Sequence, residues 1–136
     1  MIIAKRDQRG QSVSVFVLMI TGALIMTAGL VIDGGQKVAA ASRAEAAAAG
    51  ASRAAGNAAA TLELGGVSPV GAAVTAAKAY LAGQPGVTGS VAVAGGIVTV
   101  QTSASEPTIF LGVIGIGRLT GRGYAEANLV PTGRSR

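Results

Sequence analysis

The chain contains no cysteine, no histidine and no tryptophan. Without cysteine there are no disulfides and no thiolate metal sites. Without histidine the commonest general base and the commonest metal ligand are both missing. Aromatic residues make up only 3% of the sequence, although half of it is hydrophobic. The apolar bulk is therefore alanine, valine and glycine, which builds a light core, and a small domain of this kind is only marginally stable by itself. Charge is scarce too, at 12% of residues, with 11 basic against 6 acidic side chains and a net charge of +5. The basic residues are scattered and have no aromatic neighbours, so the stacking platforms of single-strand nucleic-acid binders are absent. A mild attraction to anionic envelope polymers or lipid headgroups accounts for the charge more simply, and no nucleic-acid partner is expected.

Against this sparse background one stretch stands out. Ser12 to Ile32 reads SVSVFVLMITGALIMTAGLVI, 21 residues without a charge, eleven of them Val, Leu, Ile or Phe. As a helix it would cover roughly 31 Å, the hydrocarbon thickness of a bilayer. Its apolar residues favour insertion by roughly 3 to 7 kcal/mol before the cost of its serines and threonines. A buried core helix of this length would normally show a polar stripe, and none is visible. The stretch predicts a membrane-spanning helix, anchored by Val13, Phe16, Leu18, Ile20, Leu24, Ile25, Leu30 and Ile32. Lys5, Arg6 and Arg9 precede it, whereas Asp33, Lys37, Arg43 and Glu45 beyond it roughly cancel. That bias places the N-terminus in the cytoplasm and the remainder outside.

Helical character continues past the span. Residues 36 to 60 are alanine-rich and free of proline, and Asp33 and Lys37 have the spacing of a favourable i,i+4 pair. One helix from about Ser12 to Ala60 is expected, about 70 Å long if unbroken. Gly34-Gly35, Gly50 and Gly56 are the places where it would bend most easily. After a loop at Leu62 to Val67, Ser68 offers an N-cap and Pro69 a first helical position. Val70, Val74, Ala77 and Leu81 then fall at helical spacing, Gly83 can close the helix and Pro85-Gly86 ends it.

The clearest strand signal comes next. Val91 to Ala94, Gly95-Gly96 and Ile97 to Gln101 read as a hairpin with a two-residue turn. In that register Val93 opposes Val98, Val91 opposes Val100, and the four valines share one face. Such a face needs a helix to cover it. Ser105 or Glu106 followed by Pro107 marks another helix start, and the apolar TIFLGVIGIG run predicts a short buried helix to about Gly117, with a surface anchor as the alternative. At about ten residues it cannot span a bilayer. Residues 119 to 130 predict a third strand, with Leu119, Ala125, Ala127 and Leu129 on one face and Arg122, Tyr124, Glu126 and Asn128 on the other.

No catalytic set assembles. The Gly115-x-Gly117 and Gly121-x-Gly123 pairs lack the spacing and strand-turn-helix context of a dinucleotide loop, and no Gly-Lys-Ser/Thr follows any glycine run. Ser68, Ser90 and Ser103 have no histidine to activate them. The six carboxylates are widely spaced. Asp33 alone sits where the apolar span ends and would be costly if drawn into lipid. It is either an interfacial stop that fixes helix depth or a charge partner for another subunit.

Arg9-Gly10-Gln11-Ser12-Val13-Ser14-Val15-Phe16, the hydrophobic span, then Gly29-Leu30-Val31-Ile32-Asp33-Gly34-Gly35-Gln36 and an alanine-rich helix resemble the TadE/TadG-like proteins. These are pilin-type components of the Flp, or tight adherence, pilus and related secretion systems. The later stretch from Val98 to Val130 is similar in style. The resemblance implies a possible processing site between Gly10 and Gln11. It also points to a contrast, because type IV-like prepilins usually carry glutamate at the fifth place after the cleavage glycine and Val15 stands there in this chain.

The expected architecture is α+β: a long N-terminal transmembrane helix continuing into an alanine-rich helix, packed on a small antiparallel sheet with two short helices. Its parts would be a basic cytoplasmic tail (1–11), the transmembrane helix (12–33), the alanine-rich helix (34–60) and a small external domain (61–136). The expected function is non-catalytic, that of a minor pilin-like or accessory subunit, uncleaved, in the cell membrane beside other pilus-assembly subunits. No cofactor, metal or small-molecule substrate is implied, and Asp33 and Lys37 would be the interfacial charges. Two alternatives stay open. One is an exported protein whose signal peptide is cut after Ala39-Ala40-Ala41, although the apolar run exceeds the usual signal length. The other is a small membrane-active, holin-like protein, which would not need the hairpin or the third strand.

Overall fold

The computed structural model describes residues 9–63 and 68–129. The dominant element is α1, Arg9–Glu63, a single helix of 55 residues that runs through Gly34-Gly35, Gly50 and Gly56. Alanine, the best helix former, fills its second half and no proline interrupts it, so the glycines leave the element continuous. At 1.5 Å per residue it is about 80 Å long. The remainder is α2, Val70–Ala82, and three strands, β1 Val87–Ala94, β2 Ile97–Pro107 and β3 Arg118–Asn128. The strands form an antiparallel sheet in the order β1-β2-β3. This is the expected α+β arrangement, a long apolar helix with a short helix and a three-stranded antiparallel sheet.

The hairpin register is the one read from the sequence, with Val93 opposite Val98 and Val91 opposite Val100. Gly95 and Gly96 make its turn with φ of 57° and 78°. Two consecutive left-handed residues match the twist of the flanking strands and exclude most side chains. Val98 and Val100 are completely buried, and Val91 and Val93 are partly covered at the edge of the same cluster. Gly121 and Gly123 of β3 and Leu129 just beyond it are buried while Arg122, Tyr124, Glu126 and Asn128 are exposed, which is the expected division of faces.

One side of α1 lies on this sheet. Ala40, Ala44, Ala47, Ala48, Ala51, Ala55 and Ala59 recur at helical spacing and are almost fully buried. Of these, Ala47, Ala48, Ala51, Ala55 and Ala59 meet Ala73, Ala77 and Leu81 of α2 together with Val98, Val100 and Leu129. The light side chains let backbones come close. A β-carbon placed on Gly121 would overlap the Ala40–Ala41 backbone, and one on Gly123 the Ala44–Glu45 backbone. Thr102, also buried, donates its hydroxyl to the Ala44 carbonyl at 2.6 Å and so ties the middle strand to the helix. Arg43 pairs with Glu106 and donates to the Pro85 carbonyl at 2.8 Å, which joins α1 to the end of β2 and to the α2–β1 turn.

Three expectations are corrected. The buried face of α2 is Ala73, Ala77 and Leu81, while Val70 is exposed. The helix turns its smallest residues toward α1 because the two backbones pack closely. Ser68 makes no capping bond, and Val70 is preceded by Pro69 at the N-cap. The largest correction falls after β2. That strand runs on to Pro107, paired with Arg118, so residues 108–117 must reverse the chain and cannot be the short buried helix. They form a loop closed by Thr108 N–H donating to the Gly117 carbonyl at 3.1 Å. Its helical content is one 3-10 turn, Leu111–Ile114, which has no buried residue and ends at Gly115 with φ of 92°.

Candidate functional site

The apolar half of α1 and the 108–117 loop meet at Asp33, where the structure concentrates its unusual chemistry. Residues Ser12 to Ile32 lie almost bare along α1. Val13, Phe16, Leu18, Ile20, Leu24, Ile25, Leu30 and Ile32 are all exposed, each by at least 44%. Only 6% of the most apolar window is covered by the rest of the chain, whereas a core helix of a soluble protein would be mostly buried. The helix is long and apolar enough to cross a membrane, with a mean hydropathy of 2.5 over that window. Gly10 and Gln11 lie in the first turns of α1.

Asp33 behaves unlike its neighbours. Its side chain is fully buried, although it stands between the exposed Ile32 and Gly34. One carboxylate oxygen accepts the Ile109 N–H at 2.7 Å. The other accepts the N–H groups of Phe110 at 3.0 Å and Leu111 at 2.6 Å. Three successive backbone donors thus converge on one carboxylate, the arrangement that caps a helical turn, here supplied from a distant element. The donors open the 3-10 turn Leu111–Ile114, so the negative charge sits at the end of the turn that favours it.

The ion pair with Lys37 suggested by the spacing does not form. Lys37 is exposed, and among the described residues the ion pair that is present joins Arg43 to Glu106. Four residues before Asp33, on the same side of α1, Gly29 is buried beneath the Phe110 ring. A β-carbon there would overlap the ring, so glycine at this position lets Phe110 lie on the helix backbone. Ile25, Met26 and Leu30 of α1 then face Leu111, Val113 and Ile114 across an open apolar groove of about 400 Å³.

Reasoning from sequence singled out Asp33 and missed its partners. A signal was available: Asp33 stands seven residues before Ala40 and eleven before Ala44, the spacing of a shared helix face. It therefore lies on the side of α1 that carries the domain. What the geometry can do is mechanical. It fastens the far end of the sheet to the point where the apolar segment ends.

Residues 10–60 match the family model described as putative Flp pilus-assembly TadE/G-like. The match spans most of α1, including the apolar segment, Asp33 and the alanine stripe. No curated protein matches the chain, and no solved structure does.

Proposed function

We propose that this chain is a non-catalytic accessory subunit, minor and pilin-like, of a Flp/Tad-type pilus or a related secretion machine of the bacterial envelope. The observation that carries the reading is the family likeness over residues 10–60, on a helix whose first half is apolar and uncovered. In this reading residues 12–33 cross the cell membrane, 1–11 form a basic cytoplasmic tail, and 34–60 with 61–136 build the external domain. Lys5, Arg6 and Arg9 support that orientation. Other pilus-assembly subunits are the partners, and they cover the uncovered helix within a hetero-oligomer.

The subunit keeps its basic tail. If the chain were cut after Gly10, the new amino group on Gln11 would enter an apolar helix bundle. Val15 offers it no negative partner, and an unpaired charge in such a place is costly. Retained Lys5, Arg6 and Arg9 instead hold the helix at anionic headgroups. The signal-peptide alternative fits the fold poorly. A cut after Ala41 would remove Asp33 and the buried Ala40, and with them the tether of residues 109–111.

Three measurements test the proposal. Intact mass of the membrane-extracted protein should correspond to the full chain. N-terminal sequencing of sheared surface filaments should yield few chains beginning at Gln11; abundant ones would make it a processed, filament-forming pilin. A reporter fused after Arg136 should be active only on the outer side of the membrane, and cytoplasmic activity would end the pilin-like reading.

A further inference from the structure

We infer that the 108–117 loop is a second membrane-contacting element, seated in the outer-leaflet interface against α1 with lipid acyl chains over its exposed side chains. The inference rests on the reading of residues 12–33 as the spanning helix.

Composition is the first support. Pro107 to Gly117 carries no charged residue, and Val113 and Ile114 are 87% and 72% exposed. A loop of this kind facing water would leave large apolar side chains solvated without return. Position is the second. The loop is continuous with the apolar surface of α1, because Phe110 lies on Gly29 and the 400 Å³ groove is lined by Ile25, Met26 and Leu30 on one side and by the loop on the other. Gly29 is one helical turn, about 6 Å, nearer the membrane centre than Asp33, and Ile25 about 12 Å nearer. Interfacial apolar segments reach about 5–10 Å into the headgroup and acyl boundary, which is the depth this loop would occupy.

Backbone chemistry is the third support. Entry into a region poor in water requires that backbone N–H groups be bonded within the protein. Asp33 takes those of Ile109, Phe110 and Leu111. Thr108 bonds Gly117, Val113 bonds Phe110, Gly115 bonds Gly112 and Ile116 bonds Leu111, at 3.0 to 3.1 Å. The Thr108 hydroxyl donates to the Ile116 carbonyl at 2.5 Å. The first charged residues on either side, Glu106 and Arg118, lie at the paired end of β2 and β3, where the sheet leaves the loop.

The absence of native tryptophan makes the test clean. Single-tryptophan variants of the full chain, Val113→Trp, Ile114→Trp, Leu18→Trp and Ser90→Trp, are reconstituted in phosphatidylcholine–phosphatidylglycerol vesicles with and without brominated acyl chains. Val113 and Ile114 are exposed, so neither substitution burdens the fold, and Ser90 is an exposed residue of β1. Tryptophan at 113 and 114 should emit at shorter wavelength than tryptophan at 90, lose intensity to brominated lipid and resist aqueous iodide. Quenching by iodide alone at 113 and 114, with Leu18→Trp still quenched by brominated lipid, would put the loop in water and overturn the inference while leaving the span intact. Emission at short wavelength that neither reagent quenches would show a protein surface over the loop and overturn it equally. Failure of Leu18→Trp to respond to brominated lipid would remove the spanning reading and this inference with it.

Discussion

Asp33→Asn is the sharpest perturbation this structure allows, because it changes almost no volume and attacks three hydrogen bonds at once. The carboxylate offers two acceptor oxygens to three N–H groups, with Ile109 on one and Phe110 and Leu111 on the other. An amide keeps a single oxygen and replaces the other with a donor. If the remaining oxygen stays with Phe110 and Leu111, the new NH₂ opposes the Ile109 N–H. If it rotates, two donors lose their acceptor. The milder case removes one charge-assisted bond and orphans one partly buried donor, which corresponds to an increase of about 10- to 100-fold in the local opening constant. Amide hydrogen exchange reads this directly, since the loop should open without the sheet. Exchange at Ile109, Phe110 and Leu111 should accelerate by that factor, while Val98 and Val100, buried in the core, should keep wild-type protection. Wild-type exchange at the three amides would show that Asp33 does not hold the loop. Equal acceleration at Val98 would show that loop and sheet open as one unit.

Other perturbations reach the remaining parts of the argument. Val98→Asp puts an unpaired charge among Val100, Leu129 and the alanines of α1, a cost of several kcal/mol that this light core should not survive; normal accumulation and melting would make the register or the burial wrong. Gly123→Val should push β3 off the Ala44–Glu45 backbone, lowering the urea midpoint by the equivalent of at least about 1–3 kcal/mol, whereas Gly34→Ala, with open space around it, should leave the midpoint unchanged or raise it slightly. The Tyr124 phenol ionises above its ordinary value of 10.0, chiefly because it donates to the Glu126 carboxylate and also through partial desolvation and the charge of Glu126. Its raised value contributes stability that is complete below pH 10 and fades as the pH rises through the shifted value. Ultraviolet titration should therefore show one tyrosine ionising late, and Glu126→Gln should bring it back toward the ordinary value; an unchanged titration would refute the contact.

How much of this was legible beforehand follows the range of the interactions. Local chemistry named the long helix, the Gly95-Gly96 hairpin with its valine register and the alternating faces of β3. Alanine propensity, left-handed glycines and period-two patterning act within a few residues. The α2 face was harder: Ala77 and Leu81 are buried as the spacing implied, but Val70 and Val74 also looked like apolar choices and the fold buried Ala73 in preference to them. Packing against a helix made of alanine rewards the smallest side chains, and no single-segment pattern records that.

The 108–117 segment shows most plainly what only tertiary structure decided. Its composition suited a short buried helix, yet β2 and β3 pair as far as Pro107 and Arg118, so the chain had to turn back between them. Asp33 was conspicuous in the sequence as a charge at the end of an apolar run, and that run determined the membrane-length helix with no help from the fold. Its partners were 76 to 78 residues away and were backbone N–H groups, which every residue but proline possesses. No residue identity advertises such a donor. Only the path of the folded chain, which lays the loop beside the helix at Gly29 and Asp33, brings the three amides to the carboxylate.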